Sequence, residues 1–133
     1  MTYKIISAMV IMAFIYSFTV VLYVHAPDVA LQDKTIREQV EYWSDYYKIN
    51  GDKLYKVLLC ESRGKSDAIH YNDGGKGKHS VGVLQFQKST FETWEDNLGE
   101  DLDYYSAYDQ IKLASFMWNK GQQGQWTCYK LIK

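Results

Sequence analysis

Glu61 is the residue in this sequence best suited to acid–base chemistry. It sits near the end of the run Leu58-Leu59-Cys60-Glu61-Ser62. Leu54, Leu58 and Leu59 follow Asp52, a good N-cap, at helical spacing. Gly64 is placed to stop that helix in a left-handed turn. Glu61 then falls in the last helical turn, at the negative end of the helix dipole, where a carboxylate is disfavoured by up to ~1 kcal/mol. That field and the apolar neighbours both penalise the charged form and raise the pKa. A carboxylic acid that keeps its proton at neutral pH can protonate the leaving oxygen of a glycosidic bond. The plain alternative is an exposed glutamate at a fraying helix end.

Other chemistries have weaker footing. His25, His70 and His79 show no metal-ligand spacing. His70 and His79 could meet Asp73 on a metal only by folding of their loop, so neither a metal nor any other cofactor is expected. Cys60 lies in an apolar run with no neighbour that would lower its pKa, which argues against a nucleophile. Gly74-Gly75 is not followed by the lysine and serine of a phosphate-binding loop. Asp67 and Asp73 are the nearest candidates for the second carboxylate that ordinary hydrolysis uses. Both read better as turn-formers.

The elements that must position Glu61 follow from the rest of the chain. Its 133 residues, 47% of them hydrophobic, suit one domain with a real core. A net charge of -1 gives no pull toward nucleic acid. The 12 Tyr, 4 Trp and 5 Phe supply core, and also flat, polar-tipped walls that suit sugar rings. Composition does not separate those two uses.

Residues 5–24 carry no charge. As a helix they span roughly 30 Å, one hydrocarbon core. Lys4 precedes them, and Asp28 and Asp33 follow. The positive flank stays in the cytoplasm and sets the rest outside. Residues 1–26 are thus a transmembrane anchor or a signal peptide. The Val24-His25-Ala26 stretch fits a cleavage site, whereas the length of the apolar run favours the anchor. Residues 27–34, with the single proline Pro27, read as a linker.

Thr35-Ile36-Arg37-Glu38 is a capping-box pattern. Ile36, Val40, Trp43 and Tyr47 continue it as an amphipathic helix ending at Asn50-Gly51, and Asp52 opens the helix of Glu61 at once. Glycines and Asx residues over 63–78 give a loop-rich stretch. Residues 68–71 and 80–86 read as two short strands of an irregular hairpin. Ser89-Thr90-Phe91-Glu92 is a second capping box and opens a third helix. Residues 106–120 form a fourth, with Ala107, Ile111, Ala114 and Trp118 on one face and Gly121 beyond its end. A short element over 124–129 closes the chain. The fold class expected is mainly α, with a small helical domain and a short β-hairpin.

Cys60 and Cys128 are the only cysteines. A pair outside the cytoplasm normally oxidises, and this one would set Trp126 near Glu61. Two buried free thiols are the alternative.

Three motifs in order carry a resemblance. They are Glu61-Ser62, then Gly82-Val83-Leu84-Gln85, then Trp118-Asn119-Lys120-Gly121. Together they resemble the soluble lytic transglycosylase domain of the lysozyme-like superfamily, over roughly Tyr42 to Ile132. The pairing of Cys60 with Cys128 is also similar to small exported members. The resemblance implies an α+β lysozyme-like fold over 35–133 and cleavage of the β-1,4 bond between N-acetylmuramic acid and N-acetylglucosamine. Glu61 matches the family's catalytic acid/base, which forms a 1,6-anhydro end without a second carboxylate.

By the same resemblance Ser62 orients the acid. Gly82 lets backbone approach the sugar, and Leu84 and Gln85 line the cleft. Asn119 faces the acid across it. Trp118 stands where the family has tyrosine, so a hydroxyl contact is lost. Phe86, Tyr71 and Trp126 are stacking walls or core. The implied partners are peptidoglycan strands and, through the N-terminal segment, a membrane. A monomer is expected, outside the cytoplasm. A hydrolytic muramidase is the alternative within the class, and a non-catalytic glycan-binding or scaffold protein the alternative outside it.

Overall fold

A computed structural model describes residues 30–132. The hydrophobic span expected at residues 5–24 lies outside the described residues, as does the start of the linker. Among the described residues no helix is long and apolar enough to cross a membrane. The chain divides into two units, Met1–Lys34 and Thr35–Lys133. The described part of the first ends in a helical turn, with Lys34 N–H donating to the Leu31 carbonyl at 3.1 Å.

The second unit is mostly helical, with a small antiparallel sheet. Helix α1 (Ile36–Tyr47) opens with both halves of the expected capping box. Thr35 Oγ1 accepts from Glu38 N–H at 3.3 Å, and Glu38 accepts from Thr35 N–H at 2.9 Å. The helix ends earlier than the Asn50-Gly51 expected. Lys48 takes the left-handed conformation, φ 56°, and donates back to the carbonyls of Ser44 and Asp45.

Asn50, not Asp52, caps α2 (Gly51–Ser62), its side chain accepting from Lys53 N–H at 2.9 Å. The reason lies in the tight α1–α2 turn. Gly51 is pressed so close to Ser44 that a Cβ would sit 2.9 Å from it, and the cap falls two residues before the one expected. Asp52 moves into the first turn, favourable with the dipole, and meets Arg37 of α1 at 2.6 Å. Helix α2 stops at Ser62 as expected, although Arg63 (φ 56°) takes the first left-handed position, ahead of Gly64.

The sheet has three strands rather than two, in the order β1 (Ile69–Tyr71), β2 (His79–Val81), β3 (Phe86–Gln87). Ile69 pairs with Val81, and Ser80 with Gln87. The stretch read as one strand over 80–86 is interrupted by a turn. Gly82 (φ 83°) and Gln85 (φ 51°) are left-handed, and Gln85 N–H donates to the Gly82 carbonyl at 3.3 Å. Strand β3 runs straight into α3 (Lys88–Leu98), so Gln87 occupies the N-cap. The capping box expected at Ser89 does not form, because Ser89 is already inside the helix.

Helix α4 (Ala107–Asn119) is the centre of the unit. Ser106 caps it, accepting from Asp109 N–H at 3.3 Å. Tyr108, Ile111, Leu113, Ala114, Met117 and Trp118 are buried around much of its circumference, as befits a helix enclosed by others. Lys112 is buried too and pairs with Glu100, which keeps its charge compensated. Val40 and Trp43 of α1, Leu54, Val57 and Leu58 of α2, and Phe91 of α3 pack into the same core, with Val83, Leu84 and Phe86 from the sheet region. Each full burial of such a side chain contributes roughly 1.5–3 kcal/mol. After a 3₁₀ turn (Gln123–Gln125), the short α5 (Thr127–Leu131) folds back onto α2.

Candidate active site

Glu61 is half-buried at the exit of α2. Its Oε1 accepts a hydrogen bond from the Cys128 backbone N–H at 3.3 Å. Cys128 is in the first turn of α5, where N–H groups have no partner within the helix. Its sulfur lies at bonding distance, 1.99 Å, from that of Cys60, and the Cα atoms are 6.0 Å apart. Burial pushes the Glu61 carboxyl above the ordinary value of 4.5, the Cys128 N–H opposes this, the Asp73 charge adds to it, and His70 subtracts. The net effect holds the proton on Glu61 to higher pH than at a helix end in water.

Ser62, the next residue, is buried and turned away from the cleft. Its hydroxyl donates to the Val83 carbonyl at 2.8 Å, has the Leu58 carbonyl at 3.2 Å, and accepts from Gly64 N–H at 3.1 Å. Ser62 therefore fastens the end of α2 to the Gly82–Gln85 turn, and so positions Glu61 from behind.

The turn is held from the other side by Gln110 of α4, which is fully buried. Its Nε2 donates to the carbonyls of Val81 (3.0 Å) and Tyr104 (2.8 Å), and its Oε1 accepts from Leu84 N–H (3.1 Å). A Cβ on Gly82 would sit 2.2 Å from Gln110 Nε2. The glycine thus admits the Gln110 amide, and no cleft contact accounts for it. Leu84 is fully buried in the core. Its carbonyl accepts from the Trp126 indole N–H at 2.8 Å.

A cleft of about 280 Å³ opens beside Glu61. Of the residues expected at the site, Glu61, Gln85, Phe86 and Trp126 line it together. Phe86 and Trp126 meet edge to face, with centroids 5.5 Å apart. Gln85 Nε2 donates to the carbonyls of Gly82 (2.7 Å) and Ala68 (3.2 Å), while its Oε1 is buried with no partner among the described residues. Ser62, Gly82 and Leu84 form the frame behind the cleft. Trp118 is buried against Trp126 and Tyr129, at 6.3 and 5.3 Å between centroids. Asn119 does not face Glu61: its amide donates to the Tyr47 carbonyl at 3.0 Å and ties the end of α4 to α1. Tyr71 is largely exposed and meets His79 edge to face at 5.1 Å.

Asp73, the weaker candidate for a second carboxylate, also lines the cleft, as do Ser80, Gln87 and Thr90, which the sequence does not single out. For Ser80 a signal existed, since alternation along β2 sends it to the face opposite His79. From the sequence Asp73 reads better as a turn-former than as a second carboxylate. It does sit in a turn, in a loop where Gly77 N–H donates to Asn72 Oδ1 at 3.0 Å, but its side chain also reaches the cleft and accepts from the Ser80 hydroxyl. Among the described residues no group of three or more His, Cys, Asp or Glu side chains is placed to hold a metal ion. No protein-family model matches the chain, and no curated protein and no solved structure matches it either.

Proposed function

We propose that this protein cleaves the glycan strands of peptidoglycan at the β-1,4 bond from N-acetylmuramic acid to N-acetylglucosamine, on a lysozyme-like domain, with Glu61 as acid and base. The observation that carries the reading is a half-buried glutamate whose charged form is disfavoured, set in a cleft with Gln85, Phe86 and Trp126. Phe86 and Trp126 are mostly buried and pack edge to face, and their remaining edges give the cleft an apolar wall beside its polar groups.

Glu61 gives its proton to the glycosidic oxygen as the C1–O bond breaks. The substrate's own acetamido group supports the cation. The C6 hydroxyl oxygen then bonds to C1, and the Glu61 carboxylate takes its proton, which restores the acid and leaves a 1,6-anhydro end. Water in place of the C6 hydroxyl gives hydrolysis, and the presence of Asp73 in the same cleft favours this second reading. The domain works outside the cytoplasm, anchored by residues 5–24 or released after them. A Cys60–Cys128 bond supports that compartment, because such bonds persist where thiols are not kept reduced.

The test is clearing of purified cell walls by the wild type and by Glu61→Gln. Loss of clearing in the variant supports the reading. Equal clearing by both removes Glu61 from the chemistry, and glycan binding without any clearing by the wild type favours a scaffold.

A further inference from the structure

A second cavity, of about 340 Å³, borders the cleft. Strand β2 divides the two. Ser80 turns into the cleft, whereas its neighbours His79 and Val81 line the second cavity, as alternation along a strand requires. Gln87 of β3 lines both. The two spaces are opposite in charge. The cleft has the carboxyls of Glu61 and Asp73 and no lysine or arginine, while the second cavity has Lys78 and Lys88 and no carboxyl. Among the described residues Lys78 makes no ion pair, and Lys88 reaches Glu92 at 3.7 Å with both side chains largely exposed. An exposed pair of that kind contributes little and gives way to a better anion. Tyr104 and Tyr105 add an aromatic wall, their rings edge to face at 5.0 Å. The Tyr104 hydroxyl donates to the Phe86 carbonyl at 2.6 Å, which ties this wall to a residue of the cleft. Tyr105 stands largely exposed.

We propose that this second cavity binds a free carboxylate of the stem peptide carried by the muramic acid unit in the cleft. The inference rests on the reading of the cleft as a site for peptidoglycan strands. The N-acetylated sugar rings are neutral, and the free carboxylates of such a strand belong to the stem peptide. Two ammonium groups with no carboxylate lining the same cavity suit that chemistry, each a point charge on a flexible stem. The tyrosine rings offer flat apolar surface to the methyl groups of a short peptide, and their hydroxyls keep one end polar. Four extended residues reach roughly 13 Å. That exceeds the roughly 10 Å across three strands, so a peptide can leave a sugar in the cleft and pass the sheet edge at Gln87. A phosphate-bearing polymer would bring negative charge too, but the tyrosine wall and the shared Gln87 favour a peptide joined to the sugar.

The experiment has two arms, both on the full chain in detergent. The first titrates it calorimetrically with a free four-residue stem peptide, with the same peptide amidated at its carboxylates, and with inorganic phosphate. The second compares initial cleavage rates on glycan strands that keep their stem peptides and on strands stripped of them by an amidase. The proposal expects the free peptide to bind, and amidation to weaken binding about tenfold or more. It expects the same loss in the double variant Lys78→Gln/Lys88→Gln, checked for folding by a melt. The wild type should cleave the peptide-bearing strands faster, and the double variant should lose that preference. No binding of the peptide, equal binding of its amidated form, or tighter binding of phosphate overturns the proposal, and these need no variant. Equal rates on the two strands overturn it as well. All four results leave Glu61 standing as the acid. Undiminished cleavage by Glu61→Gln overturns the acid instead, and leaves the titration and the strand preference to decide the peptide site. No cleavage of either strand by the wild type overturns both.

Discussion

The backbone N–H of Cys128 donates to Glu61 Oε1 at 3.3 Å, and the disulfide partner of Cys128 is Cys60, the residue just before that glutamate. The cross-link and the candidate acid are thus neighbours on one helix. The bond that pins α5 to α2 also sets the hydrogen bond that the acid accepts, and it holds Trp126, two residues earlier, at the cleft wall.

Reduction of that bond should therefore lower both stability and cleavage. The loop it closes has a sequence separation of 68. In the chain-entropy account its loss costs up to about 4 kcal/mol. Thermal melts with and without reductant, beside cell-wall clearing under the same conditions, provide the check. An unchanged melting temperature together with full clearing would contradict the coupling.

Glu61→Gln should reduce cleavage by roughly 10²- to 10⁴-fold, the usual weight of a general acid. It should also change how stability depends on pH. The folded-state pKa of Glu61 lies above the ordinary 4.5, so ionisation costs the folded state more than the unfolded one. The contribution of Glu61 is full below 4.5 and is lost as pH rises through the folded value. The variant is then more stable than the wild type at about pH 7, and the gap closes toward about pH 4. Asp73 and His70 are the charged neighbours that act on this balance, in opposite directions. Denaturant titrations at the two pH values read it. A variant less stable at neutral pH would reverse the sign.

Gln110 should be among the most sensitive polar positions in the core. Gln110→Ala leaves Leu84 N–H and the carbonyls of Val81 and Tyr104 without their partner, at a cost of roughly 3–5 kcal/mol. Gly82→Ala meets the same amide at 2.2 Å and carries a positive φ, and should cost about 2–4 kcal/mol. Urea unfolding of both variants tests this. If Gly82→Ala is as stable as the wild type while losing cleavage, the glycine serves substrate and not the frame.

Asn119→Ala should leave cleavage within about twofold and cost about 0.5–1.5 kcal/mol, because its amide holds the Tyr47 carbonyl and not the cleft. Initial clearing rates and a melt decide the point. A tenfold loss of rate without loss of stability would return Asn119 to the site.

The sequence by itself marked where the four long helices lie, though not each of their caps. The Thr35 capping box and the stops near Ser62 and Gly121 are local signals, settled by residues three or four apart. It also marked Glu61 at a helix end, and named Gln85, Phe86 and Trp126 as residues that could join it. What only the tertiary structure decided depends on side chains far apart in the chain. The Gly82–Gln85 stretch has the composition of a strand and becomes a turn because Gln110, more than twenty residues on, binds its backbone. Asn119 matches a site residue only by the resemblance of its motif, and its amide is taken by a carbonyl 72 positions away. Asp73 reads as a turn-former and is one, but pairing of β2 with β1 and β3 carries its side chain into the cleft beside Glu61. Local spacing fixes how a segment hydrogen-bonds to itself. Which cleft wall a side chain joins depends on how strands and helices pair across the fold, and spacing along the chain does not record that.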